Sequence, residues 1–262
     1  MMDERYGRVR WGAGEDRVRT SPANWKLPFK WNEAARLAGR IDTVFCLSLG
    51  DIWDNEVDPL WRRDAFRIMD VTPNLLYLLL SKRVGNAIKM CDPMSGNPCL
   101  PSNAALGATM VNQEEWDRDL PKLKEAGRIL DAQFTFASVE PMLGPIDARG
   151  ELPSWVIVGG ESGSHARPMH PDWVRSLRRQ CADAGVPYFF KQWGEWKPLD
   201  QFDEKTILKG AHSVVWRDGR TLYDHDIADP PVAVFSIRFG KKDSGRLLDG
   251  KEHNGMPSME VR

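Results

Sequence analysis

The stretch PSWVIVGGESGSHARPMHPDWVRSLRRQCADAGVPYFFKQWGEW, residues 153–196, decides the fold class. It contains two apolar runs, WVIVG (155–159) and VPYFF (186–190). Between them, apolar residues recur at helical spacing after Pro171 and Asp172, and Gly185 follows as a stop signal. A strand, a helix and a second strand in this order form a βαβ unit, whose two strands run parallel.

Similar apolar runs recur through the first 196 residues, each followed by a helix-like pattern. Their starts lie about 22 to 32 residues apart, which is the length of one βα unit. Near-continuous apolar strands are typical of a parallel sheet that is covered on both faces. The sequence therefore predicts an α/β fold with strands in the runs at 43–49, 75–81, 104–111, 133–139, 155–159 and 186–190.

Two further helices are indicated between these runs. Asp58 before Pro59 is a helix-start signal. The segment QEEWDRDLPKLKEAG (113–127) has helical periodicity, and its Pro121 predicts either a kink or the start of a second short helix. After residue 196 the pattern changes to a hairpin with Asp218-Gly219 at its turn and a strand in VAVFSIRF (232–239). We interpret residues 197–262 as a C-terminal extension of a βα-repeat part, residues 1–196.

Composition limits the class of protein. The 262 residues are 42% hydrophobic and 28% charged, as in ordinary globular proteins. No apolar run approaches the roughly 20 residues that a membrane helix needs, and the charged N-terminus lacks a signal-peptide pattern. We expect a cytoplasmic protein with no membrane contact. Cys46 and Cys181 lie in apolar patterns and are interpreted as buried thiols, whereas Cys91 and Cys99 flank a turn-rich loop without the partners of a metal site, so no metal ligands are predicted.

The first 40 residues are basic and rich in tryptophan. They hold nine Lys/Arg against five Asp/Glu, and Trp25 and Trp31 stand beside Lys26 and Lys30. Such a mixture favours stacking on bases and contact with phosphates, so residues 5–40 are a candidate nucleic-acid surface. The alternative is that the basic residues form a solvated surface and the aromatic residues anchor the segment in the core.

Polar residues follow every predicted strand. Ligands of parallel α/β proteins bind at the carboxyl ends of the strands, so these residues are candidates for one site. Gly159 ends the run at 155–159 and Gly160 and Glu161 follow it, and glycine there permits positive φ or a close backbone approach. Glu140, followed by Pro141, is the first carboxylate to test. The candidates for substrate or positioning roles are Asp51, Lys82, Arg83, Gln113, Lys191 and Gln192. The sequence indicates no catalytic residue.

Several longer motifs resemble a known family. They are VRTSPANWKLPFKWN (18–32), DIWDNEV (51–57), VNQEEWDRDLPKL (111–123), SVEPMLGPID (138–147), WVIVGGESG (155–163), ARPMHPDWVRSLRRQCADAGVPYFFKQWGEW (166–196) and GRLLDGKEHNGMP (245–257). Together they resemble the bacteriophage and prophage family labelled gp thirty-seven/gp sixty-eight, a domain of unknown function with a three-cysteine motif. The resemblance covers essentially the whole chain.

The resemblance implies a partial TIM-like barrel related to radical S-adenosylmethionine (SAM) enzymes. It implies a SAM pocket whose candidate residues here are Glu140, Gly159, Gly160, Glu161 and Ser162. The family's three closely spaced cysteines, the ligand set of a [4Fe-4S] cluster, have no counterpart in this sequence, so the cluster is not supported. We expect the strand at 43–49 to expose an unpaired sheet edge, through which the chain oligomerises.

Three functional hypotheses therefore stand beside one another. The first is a radical-SAM-like barrel of unknown substrate, an enzyme if an upstream cysteine segment exists. The second is a non-catalytic module that binds nucleic acid or protein through the basic N-terminal segment. The third is a truncated pseudoenzyme.

Overall fold

The computed structural model describes residues 14–46, 50–91, 99–202, 212–216, 218–223 and 233–258. Six strands form one sheet in chain order: β1 (Asp42–Cys46), β2 (Leu75–Ser81), β3 (Ala104–Thr109), β4 (Thr135–Val139), β5 (Trp155–Gly159) and β6 (Tyr188–Gln192). All six run parallel, and a sequential parallel order is that of a partial TIM-like barrel. The predicted α/β fold with about six parallel strands is confirmed.

The apolar runs place these strands to within two residues wherever the ends are described. β2 and β5 coincide with the predicted runs, and β2, β3 and β5 are almost entirely buried. The predicted end of the first run, residues 47–49, lies outside the described residues. β6 begins and ends two residues later than predicted, because Gln192 still pairs with Gly159 of β5. Backbone pairing continues there although the side chains have become polar.

The helices are α1 (Pro22–Trp25), α2 (Leu27–Leu37), α3 (Pro59–Asp70), α4 (Ala87–Cys91), α5 (Gln113–Ile129), α6 (Pro171–Asp183) and α7 (Lys241–Ser244). As predicted, Asp58 caps α3, its carboxylate accepting the Leu60 N–H over 2.8 Å. Pro121 lies inside one continuous α5, so the predicted second helix is wrong. Buried Trp116 and Leu123 lie on either side of the proline and keep both halves of α5 against the core.

A second, antiparallel sheet follows in the order β7 (Trp196–Pro198), β10 (Ala233–Arg238), β8 (His212–Trp216) and β9 (Thr221–Tyr223). The predicted hairpin is the β8–β9 pair. Asp218 lies in its turn and accepts the Arg220 N–H over 3.1 Å, and Gly219 has a φ of 95°. The predicted strand at 232–239 is β10.

Residues 245–257, which we call the tail, return to the edge of β6. The Phe190 N–H donates to the His253 carbonyl, and the Gly255 N–H donates to the Tyr188 carbonyl, each over 2.9 Å. The Trp155 indole N–H donates to the Gly255 carbonyl over 2.7 Å. A Cβ atom at Gly255 would lie 2.7 Å from both the N and O atoms of Tyr188, so only glycine permits this close pairing. The tail therefore covers the backbone edge of β6.

The chain divides into two compact units. The first unit holds residues 1–107 and 125–133 with Arg262, and the second unit holds residues 108–124 and 134–261. The predicted division into residues 1–196 and a C-terminal extension, 197–262, stays a prediction.

β1 stands at the end of the six-strand order and, among the described residues, pairs only with β2. Its Phe45 side chain is 48% exposed. Oligomerisation through this edge stays a prediction. Cys181 is fully buried as predicted, whereas Cys46 on the edge strand is partly exposed as a residue. Desolvation nonetheless raises the pKa of both thiols to about 12.

Candidate functional site

Three polar side chains meet at the carboxyl ends of β4 and β6 in the second unit. Glu140 directly follows β4, and Lys191 and Gln192 end β6. The Lys191 Nζ lies 2.8 Å from the Glu140 Oε2, and the Gln192 Nε2 donates to the Glu140 Oε1 over 3.3 Å. The side chains of Glu140 and Lys191 are 22% and 48% exposed, so a ligand can reach both charges. We call Glu140, Lys191 and Gln192 the rim cluster.

Gly159 makes room for this cluster. β5 lies between β4 and β6, so Glu140 has to cross the end of β5 to reach Lys191. A Cβ atom at Gly159 would lie 3.2 Å from the Glu140 Cδ and Oε1. The β5–β6 register also shifts, because Val158 pairs with Phe190 but Gly159 pairs with Gln192. Lys191 is thus the extra residue of a bulge, a device that redirects side chains.

Gly160 and Gly194 interlock the segments that follow β5 and β6. A Cβ at Gly160 would lie 1.8 Å from the Trp193 carbonyl oxygen, and one at Gly194 would lie 2.2 Å from the Glu161 carbonyl oxygen. The sequence suggested two reasons for glycine at 159 and 160, positive φ or close approach. Close approach applies to these glycines, whereas positive φ occurs at Gly194. Glycine is therefore required at position 160, because a side chain there would collide with the Trp193 backbone.

Glu161 is held by Arg167. Its Oε2 accepts from the Arg167 backbone N–H and Nε, and its Oε1 accepts from Nη2, each over 2.8 Å. These hydrogen bonds lower the pKa of Glu161 against the opposing effect of burial. The carboxylate is thus ionised at neutral pH and fastens the 161–167 loop, in which Ser162 is half-buried. Ligand contact by Glu161, the role expected from the sequence, stays a prediction.

Two residues that were not predicted also hold this loop. Glu195 Oε1 accepts the Gly163 N–H over 3.2 Å, and Arg238 Nη2 donates to the Gly163 carbonyl over 3.0 Å. Glu195 follows the predicted strand at 186–190, within the stretch 153–196. Polar residues after a predicted strand were candidates for the site, so the sequence did contain a signal for Glu195. Arg238 lies on β10 and gives no such signal, because its place depends on the register of the second sheet.

In the first unit, Asp51, Lys82 and Arg83 come together at the end of β2. Asp51 Oδ1 accepts from the Trp53 N–H over 3.0 Å and from the Ser81 hydroxyl over 2.7 Å. Its Oδ2 accepts from the Lys82 N–H over 3.0 Å and lies 3.4 Å from the Arg83 Nη1. With a side chain only 10% exposed, Asp51 holds its own loop against the end of β2.

Asp54 forms a second ion-pair centre in the first unit. Arg17 Nε lies 3.0 Å and Arg83 Nη2 lies 3.7 Å from its Oδ2, and its Oδ1 accepts the Glu56 N–H over 3.0 Å. Burial acts to raise the pKa of Asp54, but the Glu56 N–H and the two guanidinium groups together lower it. Arg17, one of the predicted basic surface residues, is therefore engaged within the protein.

Gln113 of the second unit forms hydrogen bonds to Asp117 and Asp147 within the protein. Its Nε2 donates to Asp117 Oδ1 over 2.8 Å and to the Asp147 carbonyl over 3.1 Å, while its Oε1 accepts the Asp147 N–H over 2.7 Å. The amide thus clamps the chain before β5 to the first turn of α5. Its predicted contact with a ligand stays a prediction.

The predicted site residues therefore form separate groups. Glu140, Lys191 and Gln192 share the rim cluster, and Gly159 gives it space. Asp51, Lys82 and Arg83 share a network in the first unit. Within the described parts of the chain, no three His, Cys, Asp or Glu residues are placed to hold a metal ion.

The parallel sheet and its charged rim define the class: an α/β protein of partial TIM-like barrel type with a candidate ligand site at strand ends. The chain belongs to the family DUF5131, described as a protein of unknown function, which matches residues 1–257. Comparisons with curated proteins and with solved structures found no match. Among the described residues, no helix combines the length and the hydrophobicity needed to span a membrane.

Proposed function

We propose that this chain is a radical-SAM-like barrel protein, of the phage and prophage type that its motifs resemble, whose rim cluster binds SAM by its amino-acid end. The observation that carries the proposal is the partly exposed Glu140–Lys191 pair at the carboxyl ends of β4 and β6. Ligands of parallel barrels bind at this end of the strands. The substrate is not part of the proposal.

The chemistry of the pair matches an α-amino acid. Such a group carries an ammonium and a carboxylate a few bonds apart, and Glu140 and Lys191 offer one partner for each. Hydrogen bonds between charged groups are roughly twice as strong as neutral ones. Gln192 supports this arrangement, because its Nε2 also donates to the Gly160 carbonyl over 3.0 Å and so holds the amide beside Glu140.

The described residues do not fit an iron-sulfur cluster. Three thiolates are needed to hold a [4Fe-4S] cluster and leave one iron open, and no group of three metal-binding side chains is placed for this in the described residues. We therefore propose only that this chain binds SAM.

Calorimetric titration of the full chain tests the proposal. SAM and S-adenosylhomocysteine share the amino-acid end and are expected to bind, whereas 5′-methylthioadenosine lacks it and is expected to bind much more weakly. A hydrogen bond to a charged group contributes about 1.5–3 kcal/mol, so Glu140→Gln and Lys191→Gln should each weaken SAM binding by about tenfold or more.

The matched control is the Lys124–Glu151 pair, which lies in the same unit and is also exposed. Glu151→Gln and Lys124→Gln remove the same charges and should leave SAM binding unchanged. Absence of SAM binding by the full chain refutes the proposal. So does binding that Glu140→Gln and Lys191→Gln do not affect, or an equal affinity for 5′-methylthioadenosine.

A further inference from the structure

A groove of about 630 Å³ lies on the first unit, between α3 and part of the basic segment that the sequence predicted as a nucleic-acid surface. Its apolar lining includes Trp25, Phe29 and Ile68, and its charged lining includes Arg19, Lys26 and Arg67. We call this the basic groove. Its lining residues belong to the first unit and the rim cluster belongs to the second, and the proposal made for it does not rest on SAM binding.

Arg19 lies over a Trp25 ring in the basic groove. The guanidinium carbon of Arg19 lies 3.8 Å from the centre of a Trp25 ring. Arg19 Nη2 also donates to Asp64 Oδ2 over 2.9 Å, which fixes the orientation of the guanidinium. Nucleobases stack on guanidinium planes as well as on aromatic rings. Phe29, which is 47% exposed, supplies a second stacking surface.

Two cations in the groove have no partner among the described residues. Within the described residues, no hydrogen bond or ion pair engages the Lys26 ammonium or the Arg67 guanidinium, and both residues are exposed. Asp64 is the only carboxylate among the lining residues, and Arg19 already pairs with it. The groove therefore has a surplus of positive charge beside its aromatic surfaces, which suits an anion attached to a planar ring.

We propose that the basic groove binds a nucleotide unit, with its base on Phe29 beside the Arg19–Trp25 pair and its phosphate at Lys26 and Arg67. The unit belongs either to a single strand of nucleic acid or to a free mononucleotide, since both present the same chemistry. The groove narrows the predicted nucleic-acid surface, residues 5–40, to a defined set of lining residues. Residues 5–13 lie outside the described residues.

Fluorescence anisotropy of the full chain with a labelled oligothymidylate of about 12 nucleotides tests the proposal, since single-strand sites cover several nucleotides. Each phosphate contact to a single strand contributes about 0.7 to the slope of log K against log salt. Lys26 and Arg67 share one phosphate, so the double substitution Lys26→Gln/Arg67→Gln should reduce this slope by about 0.7. The control, Lys241→Gln/Lys242→Gln, removes two exposed charges on α7 outside the groove and should leave the slope unchanged.

The stacking part is tested with Phe29→Ala and a polyanion without bases. Loss of one base stack should weaken oligothymidylate binding by about fivefold or more. Inorganic polyphosphate should be unaffected by this change, because it has nothing to stack. Phe29 is half-exposed, and circular dichroism will show that the variant is folded.

Competition with thymidine monophosphate identifies the source of the ligand. Competition as strong as that of the oligonucleotide supports a mononucleotide site, and much weaker competition supports a single strand. The proposal is overturned if no oligonucleotide binds at low salt, if the groove variant and the α7 control behave alike, or if Phe29→Ala weakens polyphosphate and oligonucleotide binding equally.

Discussion

Replacing Gly160 by alanine inserts a methyl group where the chain has no space. The added Cβ would lie 1.8 Å from the Trp193 carbonyl oxygen and 2.4 Å from its carbonyl carbon, whereas ordinary contact begins at 3.4 Å. The segments after β5 and β6 would have to separate by roughly 1.6 Å, because both clashing atoms belong to the backbone and cannot rotate away.

This separation breaks two backbone hydrogen bonds. They are Gly160 N–H to Gln192 O at 2.9 Å and Glu195 N–H to Glu161 O at 2.8 Å. Each contributes about 1 kcal/mol. Overpacking typically costs about 1–3 kcal/mol. Alanine also lowers the conformational entropy of the unfolded chain, which offsets about 0.4–1 kcal/mol of the loss. We expect Gly160→Ala to lower the free energy of unfolding by about 3 kcal/mol.

Thermal melting followed by circular dichroism measures the effect. In a chain of this size, 1 kcal/mol shifts the Tm by about 2–4 °C, so we expect a decrease of about 6–12 °C. Gly144→Ala is the matched control, because its Cβ would meet only the Asn112 Cβ at 3.9 Å and its φ is not positive. A Gly160→Ala chain that melts within a degree of Gly144→Ala would refute the interlock.

Two further predictions concern charged groups. The pKa of Glu161 is lowered from 4.5, so its ionised form contributes stability that is present above that pH and lost as the pH falls through the folded-state pKa. The Tm difference between wild type and Glu161→Gln should therefore be largest at neutral pH and vanish in acid; a constant difference across a pH series would contradict it. Arg175 binds Asp249 of the tail at 2.5 Å and Asp200 at 2.7 Å, so Arg175→Gln should destabilise the chain by about 1–2 kcal/mol and speed limited proteolysis of the tail. Arg36→Gln, which removes an exposed pair on α2, is the control, and equal cleavage in both variants would show that Arg175 does not hold the tail.

The positions of the parallel strands could be predicted because burial on both faces of a sheet demands uninterrupted apolar residues. The same reasoning predicted that Glu140 and Lys191 share an edge of the sheet. It could not predict that they pair, since their contact depends on a register shift and on space at Gly159.

Other features lacked a readable pattern. His170 caps α6 through its Nδ1, which accepts the Asp172 N–H over 3.1 Å, although histidine is an uncommon N-cap residue. The Glu161 carboxylate binds Arg167, six residues further along the chain, and this spacing is not that of a helix or a strand. The tail is polar and short, so its pairing with β6 follows from the fold and not from its own composition.

That pairing has a consequence for how the protein is made. β6 is translated before His253 and Gly255, so its backbone donors and acceptors on that side remain exposed to water until the tail has been translated. The edge of β6 is therefore covered only after the tail has been synthesised. Nascent chains that stop short of Gly255 carry an open strand, which neighbouring polypeptides can recruit into aggregates.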